Sequence, residues 1–559
     1  MIKRLCALFL PALLVTVLAT SSAAAEPPTA GDALRQAQEN KVQLPKKDSR
    51  DAIESNIKDI PQNDDRKKED TTILVNEFRL EGQTIYTASQ LLPLINEYKG
   101  KELTLAQMRE AAAKISNFYR QHGYVAAIAY LPAQKMENNI LTIKIMEGRY
   151  GNIAVNNPSR LNPAIFHSYF QDIQTGTVVN INQLQSAILQ IDDLNGIETK
   201  SILKPGAQAG EVDLDLSLNG TKPLSGYLQF TNNGNDYTGK NLAGFGVSIN
   251  NMLHYGDILS FSGLAGLSAD SNGKEINNGS VNYQLPTAIR GLSLGIGYSK
   301  LNYQLGDEYE TLGYNGIAKI FSLSAKYTLK RSYRQNSALQ LIYEDKRLTD
   351  NVDSQYSSTS KKDKLFTLGY SGNFRDDRGM TAYSLNIGMG NLDSPYDTNA
   401  TNGHFIKYNL ELVRYQTLTD RLAVYGSVKA QWANKNMDSS ERFSLGGMNG
   451  VRAYPIGQIS GDEATLASLE LRYSLPVPKG NSLQAVAFYD TGRVKINKDP
   501  SITGTEDQNT VSLDGAGIGL IWNKGNTFSF KVSYAWKLGN EQAIDGKNGR
   551  LWVETVTCF

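Results

Sequence analysis

The chain has 559 residues, with 57 Lys and Arg against 56 Asp and Glu, for a formal net charge of +1. That length exceeds one small domain, and the near-balance of charge removes any global electrostatic reason to expect nucleic acid. A mean hydropathy of -0.36 with 40% hydrophobic residues suits a soluble protein, and it suits a transmembrane β-barrel equally, because only alternate barrel residues meet lipid.

The N-terminus narrows the choice. Lys3 and Arg4 precede an apolar stretch over 5–19 that is too short for a spanning helix, and Ala23-Ala24-Ala25 offers small residues for cleavage before Glu26. This is the pattern of a secretory signal peptide over residues 1–25, cut after Ala25. No later stretch reaches the ~20 apolar residues of a membrane helix. The mature chain is therefore expected in the periplasm, outside the cell, or in the outer membrane as a barrel. Cys6 leaves with the leader, so Cys558 has no intrachain partner and no disulfide framework forms.

Residues 26–45 contain one helix-forming run, TAGDALRQAQENK over 29–41, without a strong apolar stripe to bury. Residues 42–71 are crowded with charge and broken by Pro45 and Pro61, a linker composition, and the linker is assigned to 46–71. Order begins at Thr72. A strand over 73–80 is followed by Thr87-Ala88-Ser89-Gln90, a capping box opening a helix through Tyr98. Thr104-Leu105-Ala106-Gln107 opens a second helix, with Leu105, Met108, Ala112, Ile115 and Tyr119 on one face and Gly123 at its end. Strands over 124–131 and 140–146 complete a module spanning 72–149. The order repeats over 150–220: a strand over 151–155, a helix over 162–170, a helix capped at Asn180, then strands over 197–204 and 211–218. Two tandem α+β modules result.

From 221 to 559 helical periodicity gives way to alternation. Phe528, Phe530, Val532, Tyr534 and Trp536 share one face of their strand. Leu469, Leu471 and Tyr473 alternate with Ser468, Glu470 and Arg472, and Phe321, Leu323 and Tyr327 alternate with Ser322, Ser324 and Lys326. At about ten residues per strand plus turns, this length holds about 16 strands. A barrel of that size encloses a lumen in which charged residues are at home. The expected fold is two α+β modules followed by an all-β, 16-stranded antiparallel transmembrane barrel.

Enzyme chemistry finds little support. His122, His167, His254 and His404 are scattered and match no zinc pattern. Gly291-Leu292-Ser293-Leu294-Gly295 has the spacing of a nucleophile elbow but lies in a strand-rich run, where that turn does not form. Gly515-Ala516-Gly517-Ile518-Gly519 precedes no helix that would cradle a phosphate. Asp270-Ser271-Asn272-Gly273 lacks the spaced ligands of a calcium loop. The chain is expected to be no enzyme and to need no cofactor.

The informative stretch is a glycine-rich loop near 443–466 that feeds a clean alternating strand. Its middle reads Val451-Arg452-Ala453-Tyr454-Pro455, and Phe488-Tyr489-Asp490-Thr491-Gly492 follows downstream. An Arg at a loop tip and an Asp on a barrel wall pair firmly if the loop folds inward; spacing alone leaves separate solvation open. With these motifs the mature chain resembles the TpsB transporters of two-partner secretion, relatives of the barrel-assembly insertase. Val451-Arg452-Ala453-Tyr454 matches their V-R-G-Y loop motif. Phe488, Asp490 and Gly492 match F-x-D-x-G. The run from Phe78-Arg79-Leu80-Glu81-Gly82 through Gly123-Tyr124-Val125 matches a first POTRA domain. Ala453 stands where the motif commonly has Gly, and a positive φ there would strain it.

The resemblance implies that residues 26–45 form a plug helix resting in the pore, 72–149 and 150–220 two POTRA domains, and 221–559 the barrel. It implies that Arg452 pairs with Asp490, and that the terminal aromatic Phe559 is an assembly signal. The implied function is export of an unfolded exoprotein of TpsA type from the periplasm, recognised by the POTRA domains. Outer-membrane lipid and the barrel-assembly machinery are further expected partners. An insertase assembling other barrels is the alternative; a surface enzyme and a passive porin rank lower.

Overall fold

The computed structural model describes residues 27–42, 53–55, 71–267, 273–397, 399–504 and 506–559. The leader with Ala25, most of the linker and the tip Asp270-Ser271-Asn272 lie outside the described residues.

Helix α1 (Ala30–Glu39) begins with Asp32 accepting the Thr29 backbone N–H at 3.0 Å, an N-terminal box that satisfies an orphan donor. Strand β1 (Ile53–Ser55) belongs to the linker. The first module contains β2 (Thr72–Val75), β3 (Glu77–Glu81), α2 (Ala88–Leu91), a 3₁₀ turn (Leu92–Tyr98), β4 (Lys101–Thr104), α3 (Leu105–Gln121), β5 (Ile128–Tyr130) and β6 (Ile140–Met146). Three differences from expectation have local causes. The single strand over 73–80 breaks at Asn76, so that β2 pairs with β4 and β3 with β6. Pro93 cannot donate to a preceding carbonyl, and the helix expected through Tyr98 tightens to 3₁₀ after Leu91. The strand expected from 124 begins only at Ile128, because Tyr124 N–H closes on Tyr119 O and Ala127 N–H on Tyr124 O.

The second module contains β7 (Arg149–Asn156), α4 (Pro163–Phe170), α5 (Ile181–Asp192), β8 (Ile197–Pro205) and β9 (Glu211–Gly220). Both modules share one topology. The strand before the helices runs parallel to the last strand, which pairs antiparallel with the strand before it: β3 with β6 and β5, β7 with β9 and β8. Each module has its own apolar core, one built around Leu91, Ile95, Ile115 and Tyr119, the other around Ile165, Leu184, Ile188 and Leu214. The linker strand β1 adds parallel to β8 at the edge of the second sheet.

The barrel opens with β10 (Leu224–Thr231), β11 (Leu242–Asn250), β12 (Ile258–Gly266), β13 (Glu275–Pro286), β14 (Leu292–Gln304) and β15 (Tyr314–Arg331). It continues through β16 (Gln335–Val352), β17 (Ser357–Asp376), β18 (Gly379–Asp393), β19 (Gly403–Thr417) and β20 (Leu422–Ala433). A long loop over 434–462 then carries the hairpin β21 (Phe443–Ser444) and β22 (Ser460–Gly461). The last strands are β23 (Glu463–Leu475), β24 (Asn481–Lys495), β25 (Thr510–Lys524), β26 (Phe528–Lys537) and β27 (Gly549–Cys558). Sixteen strands close on themselves, with β10 antiparallel to β27 at the seam. Phe559 fastens that seam: it exchanges backbone hydrogen bonds with Gly226 at 3.0 and 3.1 Å, and its ring lies where a side chain on Gly226 would stand.

The second module sits against one rim, here the near rim. Arg331 forks onto Asp193 at 2.6 and 2.8 Å. Arg290 reaches Asp172 at 3.1 Å, and Asn162 N–H donates to His254 O at 2.7 Å. Outward residues along the strands, such as Leu294, Ile296, Phe321, Leu323, Leu469 and Trp536, are exposed and apolar, as a lipid-facing surface requires.

Candidate functional site: a plugged and latched lumen

The loop over 434–462 leaves the far rim and folds into the lumen. Its tip is latched to the wall. Inward alternation on β24 points Phe488, Asp490 and Gly492 at the loop, and Asp490 is fully buried. Arg452 Nε and Nη2 donate to Asp490 Oδ2 and Oδ1 at 2.8 and 2.7 Å, a bidentate fork. Its backbone N–H adds a bond to Oδ2 at 3.2 Å. Arg452 Nη1 reaches Glu470 at 2.7 Å and Nη2 reaches Ser468 Oγ at 3.0 Å, both on β23. Arg472 forks onto the other oxygen of Glu470, so that carboxylate bridges two arginines. The Arg452 guanidinium also lies 3.5 Å from the Phe488 ring centre, a cation–π contact. The Trp552 indole N–H donates to Arg452 O at 2.6 Å.

The rest of the motif packs. Val451 and Tyr454 are fully buried, and Tyr454 Oη donates to Glu541 O at 3.2 Å. Ala453 does not adopt a positive φ. Its methyl points at Gly515, where a Cβ would come within 2.6 Å of it. The glycine on the wall makes the room, and the loop takes Ala without strain. Pro455 O lies against Gly446, closing the turn. The loop starts at Asn434, before the expected 443, and this earlier part is its outer root. There Asp462 accepts from Arg442 at 3.2 Å and from the backbone of Met437 and Lys498. Glu441 pairs with Lys346 and Lys407, and Asp438 with Lys361.

Helix α1 lies beside this loop in the lumen. The sequence run shows no strong apolar stripe, yet Ala30, Ala33, Leu34 and Ala37 bury against Leu301, Tyr303, Ile320 and Leu348 of the wall. The stripe consists mainly of alanines, which signal little by hydropathy but allow close approach. Gly31 makes the tightest approach, since a Cβ there would stand 2.3 Å from Ser439 Oγ. Ala30 N–H donates to Asp350 and Arg35 to Ser439 O, both at 2.6 Å. At the other end Asn40 exchanges hydrogen bonds with Asn233. Asn449 of the loop tip donates to Glu39 O at 3.0 Å, and Asn233 accepts from Met448 N–H at 2.9 Å. Helix α1 and the loop therefore hold one another as well as the wall. Below them a cavity of about 920 Å³, lined by Glu411, Lys429, Lys531 and Glu554 among others, faces the near rim.

Sequence reasoning missed Ser468, Trp552, Asp462 and Glu441 as members of the site. Glu470 and Arg472 stood out only as lumen-facing charges; their spacing of two on an alternating strand was the available signal. Gly291-Leu292-Ser293-Leu294-Gly295 runs from a turn into β14, and Gly515–Gly519 lies within β25.

Comparison with known proteins follows the same outline. The family described as haemolysin secretion/activation protein ShlB/FhaC/HecB matches residues 210–521, and the ShlB-type POTRA domain matches residues 73–148. The chain is 28% identical over 482 residues to the heme/hemopexin transporter protein HuxB of Haemophilus influenzae (strain 86-028NP), covering 84% of each chain. It is 22% identical over 504 residues to the outer membrane transporter CdiB of Dickeya dadantii (strain 3937), covering 86% of this chain and 87% of that one. The solved structure of CdiB from Escherichia coli matches with a TM-score of 0.77 at 19% identity, over 95% of this chain and 99% of that one. With its POTRA domain, closed sixteen-strand barrel and family match, the chain belongs to the ShlB/FhaC/HecB family of TpsB-type outer-membrane transporters.

Proposed function

We propose that this transporter exports an unfolded partner exoprotein, captured in the periplasm by its POTRA domains and passed through the barrel. The observation that carries the reading is the lumen. It holds two obstructions that are not barrel strands: helix α1, packed on Leu301, Tyr303, Ile320 and Leu348, and the inward-folded loop over 434–462, fastened at its tip through Arg452 and Asp490. A permanent core would be filled with apolar side chains from the strands themselves. The near rim, where the second POTRA domain docks, then faces the periplasm and the far rim the cell exterior.

Client capture follows from sheet edges. An extended chain adds to an open edge through backbone bonds, with side-chain pockets giving choice. The edge of the second POTRA sheet at β8 already accepts a strand, β1 of the linker. That strand lies in sequence between the plug helix and the first POTRA domain. A client strand competing for β8 would free the linker that tethers the plug. The work of transport is proposed to need no catalysis or bound nucleotide, with client folding outside the cell pulling the chain across. The relatives' printed roles, heme/hemopexin transport and outer-membrane transport, agree with a transporter without naming this one's client.

Secretion by Arg452→Ala and Asp490→Ala variants tests the latch. Loss of export at normal barrel levels supports it, and normal export by both removes the pair from the mechanism. Pull-down from periplasm tests the class of client. Recovery of one large exoprotein supports export, whereas recovery of many barrel precursors would favour an insertase.

A further inference from the structure

Four cations form one row on the outside of the barrel. Strand register places Lys300 of β14 opposite Lys319 of β15, Lys319 opposite Arg347 of β16, and Arg347 opposite Lys362 of β17. All four are exposed. An adjacent residue on each strand, Leu301, Ile320, Lys346 or Asp363, is buried and faces the lumen, so alternation points the row outward. Two residues nearer the POTRA end, the same face carries Tyr298 and Phe321, followed by Asp345 and Lys364; two further on, it carries Ile296, Leu323, Tyr343 and Phe366. The row thus stands at the far-rim border of the apolar band, where an aromatic girdle meets lipid headgroups.

The arrangement is unfavourable by itself. Side chains directly opposite on neighbouring strands have Cβ atoms roughly 5 Å apart, and like charges there repel. Here three such pairs run consecutively. Among the described residues, Lys300, Lys319 and Lys362 have no ion pair, and Arg347 has one, a contact of 3.4 Å with Asp345. Lys364 adds a further cation beside Lys362, opposite Asp345. Asp393 stands opposite Lys362 at one end of the row, and Gly279 stands opposite Lys300 at the other with open space around it. The patch therefore keeps an excess of positive charge at headgroup level.

We propose that this row is a binding site for the phosphate groups of a phosphorylated glycolipid in the outer leaflet. The proposal rests on the orientation given under the proposed function. Three interstrand gaps span about 14 Å, enough for more than one phosphate. Ammonium and guanidinium donors would meet phosphate oxygens at the short distances of charge-assisted bonds, and basic clusters at a bilayer surface are a recurrent means of holding anionic headgroups. Strands β14 to β16 also form the wall on which the plug helix packs, through Leu301, Tyr303, Ile320 and Leu348. Headgroup binding would neutralise the row and stiffen that wall.

The test uses the full-length protein in detergent, titrated with diphosphoryl lipid A and read by native mass spectrometry. One variant carries Lys300→Gln, Lys319→Gln, Arg347→Gln and Lys362→Gln. A charge-matched control carries Lys330→Gln, Arg334→Gln, Lys479→Gln and Lys524→Gln at the POTRA end. The row variant is expected to retain lipid A at least tenfold more weakly, and the control as well as the unmodified protein. In lipid-free detergent the row variant should melt no lower than the unmodified protein, because repulsion has been removed. Equal retention by the row variant, equal loss by both variants, or equally tight binding of dephosphorylated lipid A would overturn the site. The orientation is read separately, by protease access to the POTRA domains in intact and permeabilised cells.

Discussion

Arg452 directs its guanidinium at Asp490, Glu470 and Ser468 at once. Removing one partner of a buried, hydrogen-bonded ion pair costs ~3–5 kcal/mol, mostly because the other charge is left stranded. Arg452→Ala and Asp490→Ala should each release the loop tip by about that much. The double variant should lose much less than the sum of the two. Reactivity of a cysteine placed at Asn449 reads the release. Arg452→Lys should fail to restore the latch, since an ammonium cannot make the fork, the Glu470 bond and the ring contact together. A second buried carboxylate, Glu147, holds the first POTRA domain. It accepts from Thr84 and Ile85 N–H at 2.8 and 2.9 Å, from Tyr119 Oη at 2.7 Å, and from the Thr84 hydroxyl. Burial pushes its pKa up, but these donors outweigh burial and hold it below the usual 4.5. A depressed folded pKa contributes stability above the unfolded value that is lost as pH falls through the folded one. Protection of this domain from protease should therefore weaken only below about pH 4.5. Glu147→Gln should weaken it already at neutral pH and flatten the acid dependence. An unchanged acid profile in that variant would remove Glu147 as the cause.

At the scale of elements, the plug helix depends on how near it can lie to the loop root. Gly31 leaves no space for a side chain against Ser439 and the Ser440 backbone. Gly31→Val should push α1 out of the lumen. Cross-linking between cysteines at Ala33 and Ile320 would fall sharply, and cross-linking kept at the unmodified level would show that the helix tolerates the bulk. The helix also marks where sequence reading stopped. Strands with strict alternation, such as Phe528–Lys537, and helices with full capping, such as Leu105–Gln121, were legible because one local rule decides each. The alanine stripe of α1 was not, since small residues score weakly as apolar even where they pack best. The break at Asn76 was equally hidden, because it separates pairings with β4 and β6 that lie far apart in sequence. Arg452 and Asp490 were visible as motif residues. The third and fourth members of their network, Glu470 and Ser468, became visible only once the register of β23 against β24 set Ser468 opposite Asp490.

On the scale of the whole molecule, the obstructions do not act separately. Asn449 binds the plug at Glu39 O, Asn233 binds both Asn40 and Met448, and the loop root at Ser439 carries the start of the helix. Freeing the loop tip therefore removes contacts that keep the plug seated. Conductance through single barrels in a planar bilayer reads this coupling. Deleting residues 26–45 should raise the current, and unchanged current would refute the plug. Arg452→Ala alone should raise it by making plug departures more frequent. In the deleted background the same substitution has no plug left to unseat, so only the loop's own movement can add current. The effect of Arg452→Ala should be smaller there than in the full chain. Equal effects in both backgrounds would mean that plug and loop open independently, and that the contacts at Asn449 and Ser439 transmit nothing. A smaller effect would mean that a signal reaching either obstruction moves both, which lets a tether pulled at the POTRA sheet act on a latch at the opposite side of the lumen.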